Sequence, residues 1–292
     1  MSINKFKKAF SLIELSIVVL VIGILIAGMT QGSSAVKKFR LYSARTLTQS
    51  SPVNGIKNLV AWYEATSEKS FDYTIDANSS TINKVANWYD INPQLITKKN
   101  AYQNTSENQP TYVEDIINGL PVVRFTFSDS QYLNLPDGTV PYNNSPYTIF
   151  FVSKTNALAQ HGILGSGNYS DPNKSNAFRY DSIGLYNYWW DFDLDSTGNP
   201  ITIGEFYVID YYYNLSIREL YINGSLNNSM VSSSNEAVES NNTIGRTSPT
   251  TYGGEYMNGD IAEIIIFDRA LKDEERKSVE KYLGKKWAIS VS

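Results

Sequence analysis

Three alternating aspartates are the residues of this sequence best suited to hold a metal ion. Asp191, Asp193 and Asp195 alternate with Phe192 and Leu194. If this run is a β-strand, the three carboxylates share one face, because side chains alternate along a strand. Like charges on one face repel each other and favour solvent or a cation, and Ca²⁺ takes six to eight oxygen ligands. The alternatives are a Ca²⁺ site and a solvated strand face with Phe192 and Leu194 in the core.

Aromatic residues are the second group with binding chemistry. The chain has 21 Tyr and 5 Trp. Aromatic rings pack on the C–H faces of sugars, while neighbouring polar groups bond the hydroxyls. The candidate ligand groups are Trp189, Trp190, Tyr211, Tyr212 and Tyr213. The alternative is ordinary sandwich core together with exposed tyrosines.

Nucleophilic catalysis finds little support in the residue types. There are no cysteines, which excludes thiol nucleophiles, thiolate-ligated metals and disulfides. His161 is the single histidine, and no Gly-x-Ser-x-Gly motif accompanies it. The formal net charge of −4 argues against a nucleic-acid partner, since such proteins usually present a basic surface.

An apolar stretch near the N-terminus must position whatever follows it. Residues 10–29 are 20 in number and hold one charge, Glu14. As a helix this stretch is about 30 Å long, one hydrocarbon core. A carboxylate in a spanning helix costs about 2.5–3.5 kcal/mol, so a plain anchor has no use for it. Lys5, Lys7 and Lys8 favour a cytoplasmic N-terminus, although basic residues also follow the run.

This stretch, KKA-FSLIELSIVVLVIGILIAG, resembles the N-terminus of type IV prepilins and pseudopilins. The resemblance implies a leader of residues 1–9, cut by a prepilin peptidase between Ala9 and Phe10. It further implies N-methylation of Phe10 and pairing of Glu14 with the free amine of a neighbouring subunit. Two departures are Ala9 where the family usually has Gly, and Gln31 where many major pilins have Pro. The latter favours a minor pilin or pseudopilin, and the alternative is a plain signal anchor.

The same helix is predicted to continue to Gln49, over about 60 Å in all. An apolar stripe at helical spacing supports this, formed by Val36, Phe39, Ala44 and Leu47. Pro52 then ends it. The predicted domain is residues 10–50, with the membrane crossed in its first half. Its amphipathic second half is expected to face neighbouring subunits in a filament core, and the alternative is a juxtamembrane stalk.

From Val53 onward short alternating runs predict β-strands. The runs are Val122–Phe127, Tyr147–Ser153, Glu205–Tyr213, Ile217–Ile222 and Asp260–Phe267. Hairpin-type turn signals stand between them at Asn118-Gly119, Asp137-Gly138, Asn223-Gly224 and Asn258-Gly259. No linker divides residues 53–292, so we expect one all-β sandwich.

Four blocks of this region resemble the concanavalin A-like, laminin-G-like jelly-roll superfamily. They are Leu59–Ala65, Pro110–Leu135, Tyr147–Lys154 and Gly259–Trp287. The last block is a strand leading into a short C-terminal helix with acidic residues at its start and Lys285 and Lys286 at its end, as the helix dipole favours. Val279, Tyr282, Leu283 and Trp287 are expected to dock that helix on the sandwich.

The two resemblances together imply a filament subunit with an unusual head. Glucanases on this sandwich need paired strand glutamates to cleave glycosides, and no such motif occurs, so we expect no enzyme. Laminin-G-like domains often hold Ca²⁺ at the rim, and no other cofactor is implied. The prediction is a minor or tip pilin that displays an adhesive domain to a glycan or surface protein. A structural pseudopilin of a type II secretion-like system is the alternative, and a filament-displayed glycosidase is a weaker one. The implied location is the inner membrane before assembly, then a pilus or pseudopilus, periplasmic or at the cell surface.

Overall fold

The computed structural model describes residues 12–72, 83–232, 234–249, 251 and 253–292. Its first element, α1, is a 38-residue helix over Leu12–Gln49, close to the predicted bounds. Pro52 begins a short 3-10 helix, Pro52–Asn54, immediately afterwards. The Asn54 side-chain amide donates to the carbonyl oxygens of Thr48 (3.1 Å) and Gln49 (2.9 Å), which satisfies two orphan carbonyls at the helix end.

Most of the N-terminal features that the sequence predicts lie outside the described residues. Ala9 and Phe10 lie outside the described residues, and the side chain of Glu14 does too. Among the helices in the described part of the chain, none has the length and apolar character needed to cross a membrane.

Sixteen strands, numbered in chain order, form two sheets in the described residues. Sheet A contains β1 (Leu59–Glu64), β4 (Thr111–Ile117), β5 (Leu120–Phe125), β7 (Tyr147–Thr155), β12 (Tyr207–Tyr213), β13 (Ile217–Ile222), β14 (Ser225–Val231) and β16 (Gly259–Phe267). Sheet B contains β2 (Asn87–Trp88), β3 (Ala101–Tyr102), β6 (Leu133–Asn134), β8 (His161–Gly167), β9 (Ser175–Asp181), β10 (Gly184–Tyr188), β11 (Leu194–Asp195) and β15 (Thr243–Ile244).

The strand order is strongly non-sequential. Sheet A runs β14-β13-β12-β7-β16-β5-β4, with β1 also paired to β16, and sheet B runs β11-β10-β9-β8-β15-β6-β3-β2. The pairs between these strands are antiparallel, as in β7 against β16 and β8 against β9. The predicted all-β sandwich is therefore confirmed, and each of the five predicted strand runs overlaps a strand of sheet A.

Two of the four predicted hairpin turns are confirmed. Asn118-Gly119 joins β4 to β5, and Asn223-Gly224 joins β13 to β14. Both residues of each pair have positive φ, between 50° and 79°, as a type I′ turn requires. The other two predictions are wrong. Asp137-Gly138 lies in a loop, and Gly259 is the first residue of β16, where a Cβ would stand 2.1 Å from the Lys154 carbonyl oxygen.

Two apolar clusters define the layers of the molecule. One lies between the sheets and includes Phe151 of sheet A and Phe178 of sheet B. The other covers the outer face of sheet A and includes Ala44 of α1, Trp62 of β1 and Leu283. The helices thus pack on one side of the sandwich, over sheet A.

The predicted C-terminal helix is confirmed as α2, Asp273–Trp287. Asp273, Glu274 and Glu275 occupy its first turn, and Lys285 and Lys286 its last. The predicted docking residues are all buried against sheet A, namely Val279, Tyr282, Leu283 and Trp287.

The predicted apolar stripe of α1 divides into two. Ala44 and Leu47 pack against the sandwich. Val36 and Phe39 remain 51% and 71% exposed, as does Tyr42 at 70%. The stripe drifts around the helix because its spacing of three, five and three residues does not follow a single face.

Candidate functional site

A buried ionic cluster joins α1, β1, β16 and α2. This junction cluster consists of Thr48, Glu64, Glu263, Tyr282 and Lys286. The Lys286 ammonium is fully buried, 2.8 Å from Oε2 of Glu64 and 2.9 Å from Oε2 of Glu263. It also donates to the Thr48 hydroxyl at 2.9 Å, which ties the end of α1 into the cluster.

Neutral donors satisfy most of the remaining hydrogen-bonding capacity of the two carboxylates. Glu263 accepts from the indole N–H groups of Trp62 and Trp287, both at 2.7 Å, and from the Tyr282 hydroxyl at 2.8 Å. Glu64 accepts from the backbone N–H and the hydroxyl of Thr66 at 2.7 and 2.6 Å. Burial raises the pKa of Tyr282 well above its ordinary value, so its hydroxyl stays protonated and donates.

Further polar contacts hold α1 along the sandwich. Nε of Arg45 donates to the Thr66 carbonyl oxygen at 2.8 Å, and its guanidinium also pairs with Glu68. Lys37 lies 2.7 Å from Asp115 on β4. Together with the junction cluster, these contacts make the second half of α1 part of the domain rather than a free stalk.

A second ionic group lies under α2. Arg276 stands between Asp210 of β12 (3.6 Å) and Glu280, and its guanidinium stacks 3.6 Å from the Tyr221 ring. Both Asp210 oxygens are buried without a hydrogen-bond partner among the described residues. Burial, with the Glu280 carboxylate nearby, raises the pKa of Asp210 well above its usual range, and burial likewise raises the pKa of Glu280.

Helices α1 and α2 pack on sheet A, and the outer face of sheet B presents a polar, aromatic row. Asp195 of β11 lies opposite Tyr186 of β10, and Tyr186 lies opposite Arg179 of β9. Their strand neighbours Leu194, Leu185 and Phe178 are in the inter-sheet core. Because side chains alternate along a strand, the row projects outward.

Tyr188 on β10 and Asp181 on β9 extend this row. We call the whole surface the tyrosine face, and it consists of Arg179, Asp181, Tyr186, Tyr188 and Asp195. The Arg179 guanidinium lies 4.1 Å from the centroid of the Tyr188 ring, a cation–π distance. Burial raises the pKa of Tyr188 to about 12, so its hydroxyl is a donor at neutral pH. Tyr186 is only partly buried, so its ring is accessible to a ligand, whereas the Tyr188 ring also stacks with the ring of Tyr169, 6.4 Å away.

A loop forms one wall of the tyrosine face. Glu255 accepts a 2.7 Å bond from Arg179 and a 2.6 Å bond from the Thr247 hydroxyl. Thr247 lies directly over β8, where a Cβ on Gly162 or Gly165 would come within 2.3 Å or 2.7 Å of its backbone. Those two glycines therefore permit the loop to reach Arg179.

Three of the five predicted ligand aromatics are corrected by burial. Trp189, Tyr211 and Tyr213 are fully buried in the inter-sheet core, because Trp189 packs on Tyr213 and its N–H donates to Asn176 at 3.0 Å. Trp190 and Tyr212 are partly buried and stay predictions without a described role.

The predicted strand face of three aspartates is also wrong. The strand β11 contains only Leu194 and Asp195, and φ is 52° at Trp190 and 70° at Asp191, so the chain turns there. Asp191 is exposed, while Asp193 accepts a 2.8 Å bond from the Trp189 backbone N–H. In the part of the chain described here, no group of three or more His, Cys, Asp or Glu side chains could hold a metal ion. The three carboxylates therefore do not share one strand face, which was the geometric argument for Ca²⁺ at this position.

His161 begins β8, buried beside the ring of Phe127. Burial lowers its pKa, which keeps the imidazole neutral. Its Nδ1 is buried without a hydrogen-bond partner among the described residues.

Sequence reasoning missed both the junction cluster and the tyrosine face. A signal existed for the first, because Glu263 interrupts the apolar run IAEIIIF and Glu64 ends the apolar run LVAWYE. For the second, Tyr186 and Tyr188 alternate with Leu185 and Asn187, which is the pattern of a strand with one solvated face.

Comparison with known families agrees with both parts of the chain. Residues 127–275, just over half of the sequence, match the concanavalin A-like lectin/glucanases superfamily. Residues 4–30 match the prokaryotic N-terminal methylation motif. No curated protein matches the sequence.

Solved structures with a similar fold include three carbohydrate-related proteins. A candidate carbohydrate-binding protein from Bacteroides ovatus has 15% identity and a TM-score of 0.45, over 54% of this chain and 46% of that one. The CBM40 domain of the Ruminococcus gnavus IT-sialidase, bound to α2,3-sialyllactose, has 14% identity and a TM-score of 0.40, over 47% and 83%. Domain 4 of an extracellular GH43 arabinanase from Geobacillus stearothermophilus, in complex with arabinotriose, has 16% identity and a TM-score of 0.40, over 77% of this chain and 98% of that one.

The match spans less than half of the Bacteroides ovatus chain. At these identities and scores, the likenesses carry no information about a ligand. The methylation motif implies processing by a prepilin peptidase, a pilus-type export pathway and assembly with other pilins. The chain belongs to the concanavalin A-like lectin/glucanases superfamily and carries a prokaryotic N-terminal methylation motif ahead of its sandwich.

Proposed function

We propose that this protein is a type IV pilin-like filament subunit whose sandwich binds carbohydrate outside the cell. Before assembly, residues 10–29 hold it in the inner membrane with the N-terminus in the cytoplasm. After removal of residues 1–9, Glu14 docks the helix against a neighbouring subunit in a pilus or pseudopilus.

The observation that carries this proposal is the placement of the helices relative to the tyrosine face. The second half of α1 and all of α2 pack on the outer side of sheet A. The tyrosine face lies on the outer side of sheet B, across the inter-sheet core. A filament built around α1 therefore leaves the tyrosine face directed away from the attachment.

The chemistry of the tyrosine face suits a sugar. Tyr186 offers a ring face for stacking, the Tyr188 hydroxyl offers a donor, and Asp195 offers an acceptor for sugar hydroxyl groups. Two orphan polar atoms lie beneath this surface, Nε of Arg179 and Oδ1 of Asp195, neither with a partner in the described residues.

We propose binding without catalysis. Glycoside cleavage needs two carboxyl groups facing the substrate. Glu64 with Glu263, both of sheet A, and Asp210 of sheet A with Glu280 of α2 are buried on the side of the sandwich away from the tyrosine face. The sequence also lacks the paired strand glutamates that glucanases on this fold use.

Two measurements test the proposal. The intact mass of the full chain from a host with an active prepilin peptidase should correspond to a start at Phe10, and a start at Met1 would contradict the pilin assignment. The full chain in detergent micelles should bind members of a glycan array. Tyr186→Ala should abolish that binding, whereas Tyr102→Ala should not, because Tyr102 is 40% exposed on β3 at the far end of sheet B.

A further inference from the structure

The charge around the tyrosine face is unbalanced. Asp181, Asp193, Asp195 and Glu255 supply four carboxylates. Arg179 is the cation within the face, and it is already engaged by Glu255 at 2.7 Å and Asp181 at 3.7 Å. Arg218 also acts on Asp193 and Asp195, but it lies fully buried beneath them, with its guanidinium 3.7 Å from the Trp189 ring. Among these described residues, the carboxylates therefore outnumber the two arginines by two.

Asp193 and Asp195, the carboxylates nearest β11, are the least favourably placed of the four. Asp195 projects beside Tyr186, and its Oδ1 is buried without a partner. Burial raises the pKa of Asp195, and the neighbouring Asp193 and Asp181 raise it further. Burial also raises the pKa of Asp193. A group that brings a positive charge to this end would relieve the repulsion between these carboxylates.

The aromatic rings favour the same kind of group. An ammonium over a tyrosine ring is attracted by the electrons of the ring face, in addition to the stacking of the sugar itself. An anionic sugar would meet four carboxylates, with Arg179 already paired. The surface thus opposes sialic acid and uronate groups at the position where it attracts an amine.

Resting on the carbohydrate-binding function proposed above, we propose that the tyrosine face selects glycans with a protonated amino sugar. The sugar ring stacks on Tyr186, and its ammonium lies between Asp195 and Asp181. Glycans whose amines are acetylated bind more weakly, and sialylated glycans are rejected.

The test compares matched sugars on the full chain in detergent micelles by isothermal titration calorimetry. The probes are a glucosamine oligosaccharide, its N-acetylated counterpart, lactose and sialyllactose. We expect the free-amine sugar to bind about fivefold more tightly than the acetylated one at low salt, the upper range for exposed ion pairs. The preference should disappear at high salt, where charges are screened.

Two variants separate charge from fold. Asp181→Asn with Asp195→Asn should remove the preference for the amine, so that the free-amine and acetylated sugars bind equally. Asp268→Asn removes one exposed carboxylate just beyond β16 of sheet A and should change nothing. Equal binding of the acetylated and free-amine sugars, or tighter binding of sialyllactose than lactose, overturns the charge selection and leaves carbohydrate binding intact. Binding of none of the four probes, with the glycan array also empty, overturns both proposals.

Discussion

Lys286→Met removes the single cation of the junction cluster and should strongly destabilise the protein. The ammonium contacts Glu64 and Glu263 at 2.8 and 2.9 Å, and all three side chains have no exposed surface. Without it, two buried carboxylates face each other from paired positions on β1 and β16. Leaving a buried ion pair with one partner missing costs about 3–5 kcal/mol.

This loss of stability should be measured as a fall in the melting temperature of the full chain. For a domain of this size, 1 kcal/mol moves the melting temperature by about 2–4 °C, so the expected fall is about 6–20 °C. Lys285→Met is the matched control, because Lys285 is the adjacent residue of α2 and is exposed. A surface change of this kind is worth about 0.5 kcal/mol or less.

A triple variant tests the reason for the effect. Adding Glu64→Gln and Glu263→Gln to Lys286→Met removes the uncompensated charges and should recover part of the loss. If Lys286→Met melts within the range of Lys285→Met, or if the triple variant is less stable than the single one, the ionic account of this junction is wrong.

Three further predictions concern other parts of the chain. Burial raises the pKa of Asp210, so the folded chain holds this proton more tightly than the unfolded chain, whose aspartate has a pKa of about 3.9. The free energy of unfolding should therefore decline as pH rises above that value. Asp210→Asn should flatten this decline, and an unchanged pH profile of stability would contradict the prediction. Glu14→Leu should leave membrane levels normal while removing the protein from sheared filaments, and wild-type filament levels would refute a docking role. Addition of Ca²⁺ should leave the melting temperature unchanged, since the turn at Asp191 separates its carboxylate from Asp195; a rise with Ca²⁺ would restore the metal site.

The parts of the fold that the sequence predicted are those governed by local pattern. Short apolar runs rich in β-branched and aromatic residues identified strands such as β7 and β16, and the charge distribution of α2 matched its dipole. The run before β11 failed because alternation alone cannot detect a turn made by Trp190 and Asp191, two residues with positive φ and no glycine. Long-range contacts hold that conformation: the Arg218 guanidinium packs on the Trp189 ring, and the Asn173 N–H donates to the carbonyl oxygens of Trp189 and Trp190.

The candidate sites depend on pairings that sequence spacing does not contain. Lys286 meets Glu64 across 222 residues and Glu263 across 23. The tyrosine face needs the register of three strands, together with Gly162 and Gly165 as the floor for the loop that brings in Glu255. An isolated acid in an apolar strand indicates that such a partner exists, but not which cation supplies it.

The buried polar contacts near α2 set the position of α1 on the sandwich. An outer sheet face covered only by apolar side chains would let α1 slide or rotate, since dispersion contacts are not directional. Hydrogen bonds from Lys286 to Thr48, and from Arg45 to the Thr66 carbonyl oxygen, fix one register of α1 against β1. Buried ion pairs add little net stability but can specify a single arrangement. In a subunit whose helix is held by its neighbours, that register decides the direction in which the tyrosine face points.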